Sequence, residues 1–315
     1  MAGSNTSRPL SVYAPASVGN IGPGFDTLGM AITGMGDLIS AQLDVSLDKD
    51  RIESITGAWT ALPTSTDQNT ASISARILLD RAGIKTPFRM TINKGVPGSG
   101  LGSSAASAVG GAFLGHLLSG ETFRDTDILD AALAAEAEVS GGIFLDNISA
   151  CLFGGVTVSH GASRTALPVG HIEGVHLIFV VPKTTVKTSE ARRILPDMVP
   201  RTDAVGALAN TAGILASVMR RDPELFCMRV SDPLIEPYRK NLIQGFDSLK
   251  ETALSSGATG FAISGAGSTM VALTPDKERT KAIKNSLQDV LNTMRIEATI
   301  FFSTIDPKGV RVANS

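Results

Sequence analysis

The stretch GVPGSGLGSSAASAVGGAFLGHLLSG, residues 95–120, places closely spaced glycines and a run of serines directly ahead of a segment of small and apolar residues. Within it, Pro97, Gly98, Ser99, Gly100, Leu101, Gly102, Ser103, Ser104, Ala105, Ala106 and Ser107 have the composition of a loop that wraps a polyphosphate. Glycine at 98, 100 and 102 permits positive φ and close backbone approach, so that successive N–H groups converge on anionic oxygens. The helix predicted after the loop would aim its positive end at the same place, with Ser103 and Ser104 as hydroxyl donors or a magnesium ligand. A Walker A loop is excluded, because no lysine followed by Ser or Thr lies within these residues. The dinucleotide fingerprint is formally met by Gly100, Gly102 and Ala105, with Glu121 as its ribose-binding acid. Glu121 falls in the polar stretch SGETFRD, away from the end of any β-rich run, which ranks that alternative well below a phosphate loop of another kind.

Upstream of the loop, Phe88, Met90 and Ile92 alternate with polar residues as a half-buried strand does, and Thr70–Ala82 carries Ile73, Ile77 and Leu78 at helical spacing. Strands are predicted over Leu10–Ala14 and within Leu38–Leu47, joined by a Gly-, Pro- and Ser-rich segment over Ala14–Gly29 that reads as a connecting or binding loop. Downstream, helices are predicted over Asp125–Ser140, Phe144–Leu152, Ala204–Arg220, Gly245–Ser255 and Lys277–Leu291. Strands are predicted over Gly155–Ser159, Val175–Val181, Gly260–Ser264, Thr269–Leu273 and Glu297–Phe302. Hairpins and helices alternating without a regular βαβ repeat argue for an α+β layered fold. Polar residues and glycines gather over Val158–His171, so two domains are expected, 1–160 and 161–315.

The chain has 315 residues, 43% hydrophobic and 18% charged, which allows a sizeable core and excludes a disordered or fibrous chain. A formal net charge of −2 gives no electrostatic reason to expect nucleic acid or an anionic membrane as partner. Cys151 and Cys227 have small or apolar neighbours and no metal-ligand spacing, so both read as buried free thiols suited to a reducing compartment. Met1–Pro9 is polar and no later stretch is apolar for about 20 residues, so the chain reads as soluble and cytoplasmic.

PGSGLGSSAAS resembles the second signature of the GHMP kinases, the group that includes galactokinases, homoserine kinases and mevalonate kinases. APASVGNIGPGFDTLG, residues 14–29, resembles their first signature in its homoserine kinase version, and GATGFAISGAGSTMVAL, residues 257–273, resembles the third. Three signatures in order make the resemblance specific over essentially the whole chain. It implies an N-terminal ribosomal-S5-like domain, a C-terminal ferredoxin-like domain, an active site between them, and phosphoryl transfer from ATP with Mg²⁺ to a small alcohol. It also suggests a homodimer.

The same resemblance carries over to single residues. Glu136 stands ten residues before Asp146, the spacing at which homoserine kinases carry a magnesium Glu and a substrate-site Asp. Its neighbour Glu138 would point about 200° away on a helix, so only one of the two can face a site. Ser104 and Glu136 are thus the expected metal ligands. Asn20, Asp26, Asp146, Asn147, Thr188, Arg192 and Arg239 match the family's substrate positions, and Asp146, Glu136 and Arg192 its catalytic group. The carboxylates suit an ammonium, and the planar forks of Arg192 and Arg239 suit a carboxylate, so the expected acceptor is homoserine. Asp146 is expected to bind substrate, with the rate coming from positioning and Mg²⁺. The sequence departs from the homoserine kinase pattern at Phe144, where many members have His, and at Ala150, Gln244 and Ser268, where proline is common. A kinase acting on another small alcohol, or a non-catalytic nucleotide-binding homologue, are the competing expectations.

Overall fold

The computed structural model describes residues 9–57, 62–140, 142 and 144–313, so most of the polar N-terminal stretch, Met1–Arg8, lies outside the described residues. The chain enters through β1 (Leu10–Gly19) and β2 (Leu28–Leu43), then β3 (Arg51–Gly57), α1 (Thr70–Arg81) and β4 (Phe88–Lys94). Three helices follow, α2 (Ser103–Leu118), α3 (Asp125–Ser140) and α4 (Leu145–Phe153), and then the hairpin of β5 (Val156–His160) and β6 (Thr165–Gly170). The second half runs β7 (His176–Pro182), α5 (Thr188–Arg193), α6 (Arg201–Arg220), α7 (Pro223–Arg229), α8 (Glu236–Arg239) and α9 (Phe246–Ser255). It ends with β8 (Gly260–Ile263), β9 (Met270–Thr274), α10 (Arg279–Met294), β10 (Ala298–Thr304) and β11 (Arg311–Val312).

Two sheets result. The first has seven strands along the path β11-β1-β2-β4-β3, with the β5–β6 hairpin attached to β2. Its β3–β4 pair is parallel and its other ladders are antiparallel, which is incompatible with the parallel sheet that a dinucleotide fold needs. The second sheet, β10-β7-β9-β8, is antiparallel throughout. The division expected after residue 160 would part β5 from β6, which pair with each other. We propose that it falls within 171–175 instead, with β11 rejoining the first sheet.

β1 runs farther than the loop-like composition of Ala14–Gly29 suggests. Ala14, Ala16 and Val18 alternate into the core and are buried, and a register shift between Pro15 and Ser17 accommodates the proline within the strand. The turn is therefore confined to residues 20–27. β3, RIESITG, went unpredicted because it is an edge strand whose only buried residue is Ile52. In α2 the small residues that flank the loop have a packing reason as well. A Cβ on Gly111 would lie 2.0 Å from the Ala71 carbonyl oxygen, so α1 and α2 meet backbone to backbone. α1 is itself held at its start by Asn69, whose side chain accepts the N–H of Ala71 at 3.1 Å.

The alternation of β7 ties the halves together. Ile178 and Val180 pack under α9 and α10, whereas Leu177 and Phe179 face the large core that also holds Val18, Leu28, Val109 and Ile148 of the first half. Phe179 stacks on Phe301 of β10 with ring centroids 4.9 Å apart. Each such buried side chain contributes roughly 1.5–3 kcal/mol. Cys151 and Cys227 are buried free thiols, and burial pushes the Cys227 thiol up to about 12. Among the described residues no helix is long and apolar enough to cross a membrane.

Candidate active site

A cavity of about 470 Å³ opens where the first turn, residues 20–27, and the α2 N-terminus face the second half. Ser99, Gly100, Gly102, Ser103, Ser104 and Ala105 line it on one side. Asn20, Glu136, Phe144, Asn147, Thr188, Arg192 and Arg239 line it on the others. Most of the expected residues therefore converge although they come from five separate segments of the chain.

The loop needs its glycines. Gly100 and Gly102 have φ of 90° and 67°, and Ser99 shares the left-handed region at 73°. A Cβ on Gly100 would lie 2.2 Å from the Ser264 carbonyl oxygen, and one on Gly102 would lie 2.2 Å from the Ser17 hydroxyl. The loop tip is held from the second half by Ser264, whose hydroxyl donates to the Gly100 carbonyl at 2.6 Å. Not all of the expected run faces the cavity. Leu101, Ala106 and Ser107 are buried in the body of the domain, and Pro97 and Gly98 lie off the lining. The reason is depth: α2 begins at Ser103, so Ala106 and Ser107 lie a turn below its mouth, with the Ser107 hydroxyl bonded to Lys94 and Asp37, while Ser104 in the first turn stays exposed on the cavity side. Ser103 donates to the Val96 carbonyl at 2.9 Å, so its hydroxyl serves loop closure in this conformation.

Glu136 and Glu138 part as a helix requires. Glu136 on α3 is buried and lines the cavity, and Glu138 is exposed. Glu136 and the Ser104 hydroxyl present hard oxygens to the same space as the loop N–H groups, a donor set that suits Mg²⁺ completed by phosphate oxygens and water. Among the described residues no cluster of three His, Cys, Asp or Glu side chains forms a ready-made metal cage.

The charged half is built around Phe25. The Arg239 guanidinium lies 5.0 Å from its ring centroid and that of Arg192 5.6 Å, so two like charges share one aromatic ring. Arg239 is buried, with Nε donating to the Ala191 carbonyl at 3.1 Å and Nη1 to the Gly265 carbonyl at 3.2 Å. Burial and the nearby Arg192 charge hold Arg239 below the usual arginine range. Arg192 forms a two-pronged ion pair with Asp26, at 2.8 and 2.7 Å, and stands 6.0 Å from the Phe144 ring. Phe144 thus offers a face to the arginine at the position where a His would offer a hydrogen bond.

Asp146 sits under this layer, buried at the start of α4. It accepts the backbone N–H of Asn20 and of Asn147, each at 2.9 Å. Desolvation, then the charge of Asp26, raises its pKa to about 6. It borders a smaller cleft beside Asp26, while Asn20 and Asn147 reach the main cavity. Asn20 also accepts the N–H of Asp26 at 2.8 Å, which fixes the turn. Phe25, Ser264, Gly265 and Lys187 were missed as site residues. Phe25 and Lys187 adjoin expected positions, Asp26 and Thr188, and that adjacency was the available signal.

A homoserine kinase of Methanocella arvoryzae is 32% identical over 308 residues, 97% of each chain, and one of Pyrococcus horikoshii is 34% identical over 291 residues, 92% of this chain and 95% of that one. The GHMP kinases N terminal domain matches residues 69–155, and the GHMP kinases C terminal matches residues 204–293. The chain belongs to the GHMP kinases. The crystal structure of homoserine kinase from Cytophaga hutchinsonii superposes with a TM-score of 0.90 at 32% identity, covering 99% of this chain and all of that one. L. major mevalonate kinase, at 14% identity and a TM-score of 0.72, shares the fold. The α+β fold is thus the GHMP kinase fold, and family membership implies a kinase that uses ATP.

Proposed function

We propose that this GHMP kinase transfers the γ-phosphoryl group of ATP to the side-chain hydroxyl of L-homoserine, releasing O-phospho-L-homoserine, ADP and a proton, as a step toward threonine. The carrying observation is that the glycine loop and the two arginines beside Phe25, Arg192 and Arg239, line one cavity with Asn20 and Asn147. A polyanion and a small zwitterion can therefore be held side by side.

In this reading the loop N–H groups and the α2 N-terminus bind the triphosphate. Ser104 and Glu136 would hold Mg²⁺, which when bound neutralises charge on the transferred group. Arg192 and Arg239 receive the substrate carboxylate, and Asp26 and Asp146, with Asn20 and Asn147, receive the ammonium. Thr188 completes the wall. Arg192 and Asp26 pair with each other, so a zwitterion bound by both would exchange one ion pair for two. A molecule with only one of the two charges would leave a partner unmatched. Asp146 binds and orients; the rate comes from alignment of hydroxyl and phosphoryl group and from the charge around them. Assembly as a homodimer belongs to the same reading, supported by the exposed Leu208, Met219 and Met228 on α6 and α7, and so does a cytoplasmic location.

ADP release measured with homoserine, threonine, serine, mevalonate and galactose in parallel tests the proposal. Turnover with homoserine well above the others is expected. Turnover on another alcohol and none on homoserine would refute it.

A further inference from the structure

A lysine immediately ahead of a phosphate loop invites a reading as a phosphate ligand, and Lys94 is not one. Its side chain runs inward and is 1% exposed, against Asp37 at 0%. The ammonium makes three contacts that use all its N–H donors: the Asp37 carboxylate, the Ser103 carbonyl at 2.8 Å and the Ser107 hydroxyl at 2.8 Å. Asp37 in turn accepts the N–H of Gly95 at 3.1 Å, the N–H of Val96 at 3.2 Å and the Ser107 hydroxyl at 3.0 Å. Gly95 and Val96 open the loop, and Ser103 and Ser107 begin α2. Both ends of the loop are therefore fastened to one buried ion pair, and the Ser103 hydroxyl closes the ring on the Val96 carbonyl. Residue 37 lies in β2 and residue 94 ends β4, two adjacent strands, so the fastening point is part of the rigid sheet.

We propose that Asp37 and Lys94, with Ser107, are positioning residues for the nucleotide: they set the separation and tilt of the loop ends and hold its N–H groups converged before ATP arrives. This rests on the reading of the loop as the triphosphate site. The pair is buried beneath the loop, and neither residue lines the cavity. Desolvation raises the Asp37 pKa while Lys94 opposes that shift, so each charge is tolerable in the interior only because of the other. The loop needs the pair in place, whereas Arg192, Arg239 and Phe25 are held by contacts elsewhere. A defect here should act on nucleotide affinity alone.

The test uses the full chain, with Mg²⁺ and a non-hydrolysable ATP analogue for binding and homoserine turnover for kinetics. The double variant Asp37→Asn, Lys94→Met removes both charges at nearly constant volume. It should weaken analogue binding about tenfold or more while the KM for homoserine stays within about twofold. Ser107→Ala, which keeps the ion pair, should weaken analogue binding about threefold with the same split, and it carries the test if the double variant fails to fold. Unchanged analogue affinity in a folded variant, or equal loss for both ligands, overturns the proposal. Failure of the unaltered protein to bind the analogue overturns instead the underlying reading of the loop.

Discussion

In the proposed reading the two sides of the cavity bind by opposite means. On the nucleotide side, the lining residues Ser99, Gly100, Gly102, Ser103, Ser104 and Ala105 are small, and what they present is main chain, shaped by positive φ at Ser99, Gly100 and Gly102 and braced from beneath. On the acceptor side, Asp26, Arg192 and Arg239 present long charged side chains arranged around the Phe25 ring. A polyphosphate needs many equivalent donors, which a backbone supplies without side-chain entropy. A small zwitterion needs charges of both signs at fixed places, which only side chains supply. The first side should therefore be sensitive to shape and the second to charge.

The largest effect is expected where the two sides meet. Glu136→Gln should lower kcat by about 10³-fold while both substrates still bind, measured by steady-state kinetics beside calorimetry, because in the proposed reading its carboxylate would hold the metal that neutralises the reacting phosphoryl group. If kcat fell less than about tenfold, Glu136 would not be that carboxylate. Next comes shape. Gly100→Ala meets the Ser264 carbonyl and needs positive φ, so the KM for ATP should rise about 10²-fold with homoserine little affected. Charge follows: Arg239→Lys should raise the KM for homoserine about 30-fold and leave that for ATP unchanged. A mixed response to either substitution would dissolve the contrast between the sides.

A smaller, pH-dependent effect comes from Asp146. Its pKa is raised from 3.8 to about 6, so the folded protein holds the proton more tightly than the unfolded chain. Its stabilising contribution is therefore present below about pH 4 and lost as the pH rises through 6, at most about 3 kcal/mol. Compared with Asp146→Asn, the unaltered protein should lose relative stability in denaturant titrations between pH 4 and 7. Homoserine binding near pH 6 should also release protons, detectable by calorimetry in buffers of different ionisation enthalpy, and the variant should not. The smallest effect is expected for Phe144→His, about threefold in the KM for homoserine, since one contact at 6.0 Å is exchanged for a hydrogen bond.

The legibility of the sequence follows the same contrast. The glycine loop and α2 were readable because their signal is local: residue type, spacing and the onset of helical period. The separation of Glu136 from Glu138 was readable for the same reason. β3, with one buried side chain, and β11, with two residues, carry too little periodicity to be seen. The Asp37–Lys94 pair joins strands through residues far apart in the chain, and no local pattern marks either as buried. Asn20, Asp26, Arg192 and Arg239 were reached through the family resemblance, whereas the Phe25 ring that both arginines contact is a fact of tertiary packing alone.

The return of β11 to the edge of the first sheet has a mechanical meaning. The chain leaves that sheet after β6 and comes back after β10, so the second sheet with its helices hangs from two covalent straps rather than one. Two crossings anchor the second sheet at both ends of its run of chain, and the core shared through Leu177 and Phe179 fills the space between them. The hydroxyl of Ser264 is thereby presented to the Gly100 carbonyl from a body fastened on three sides.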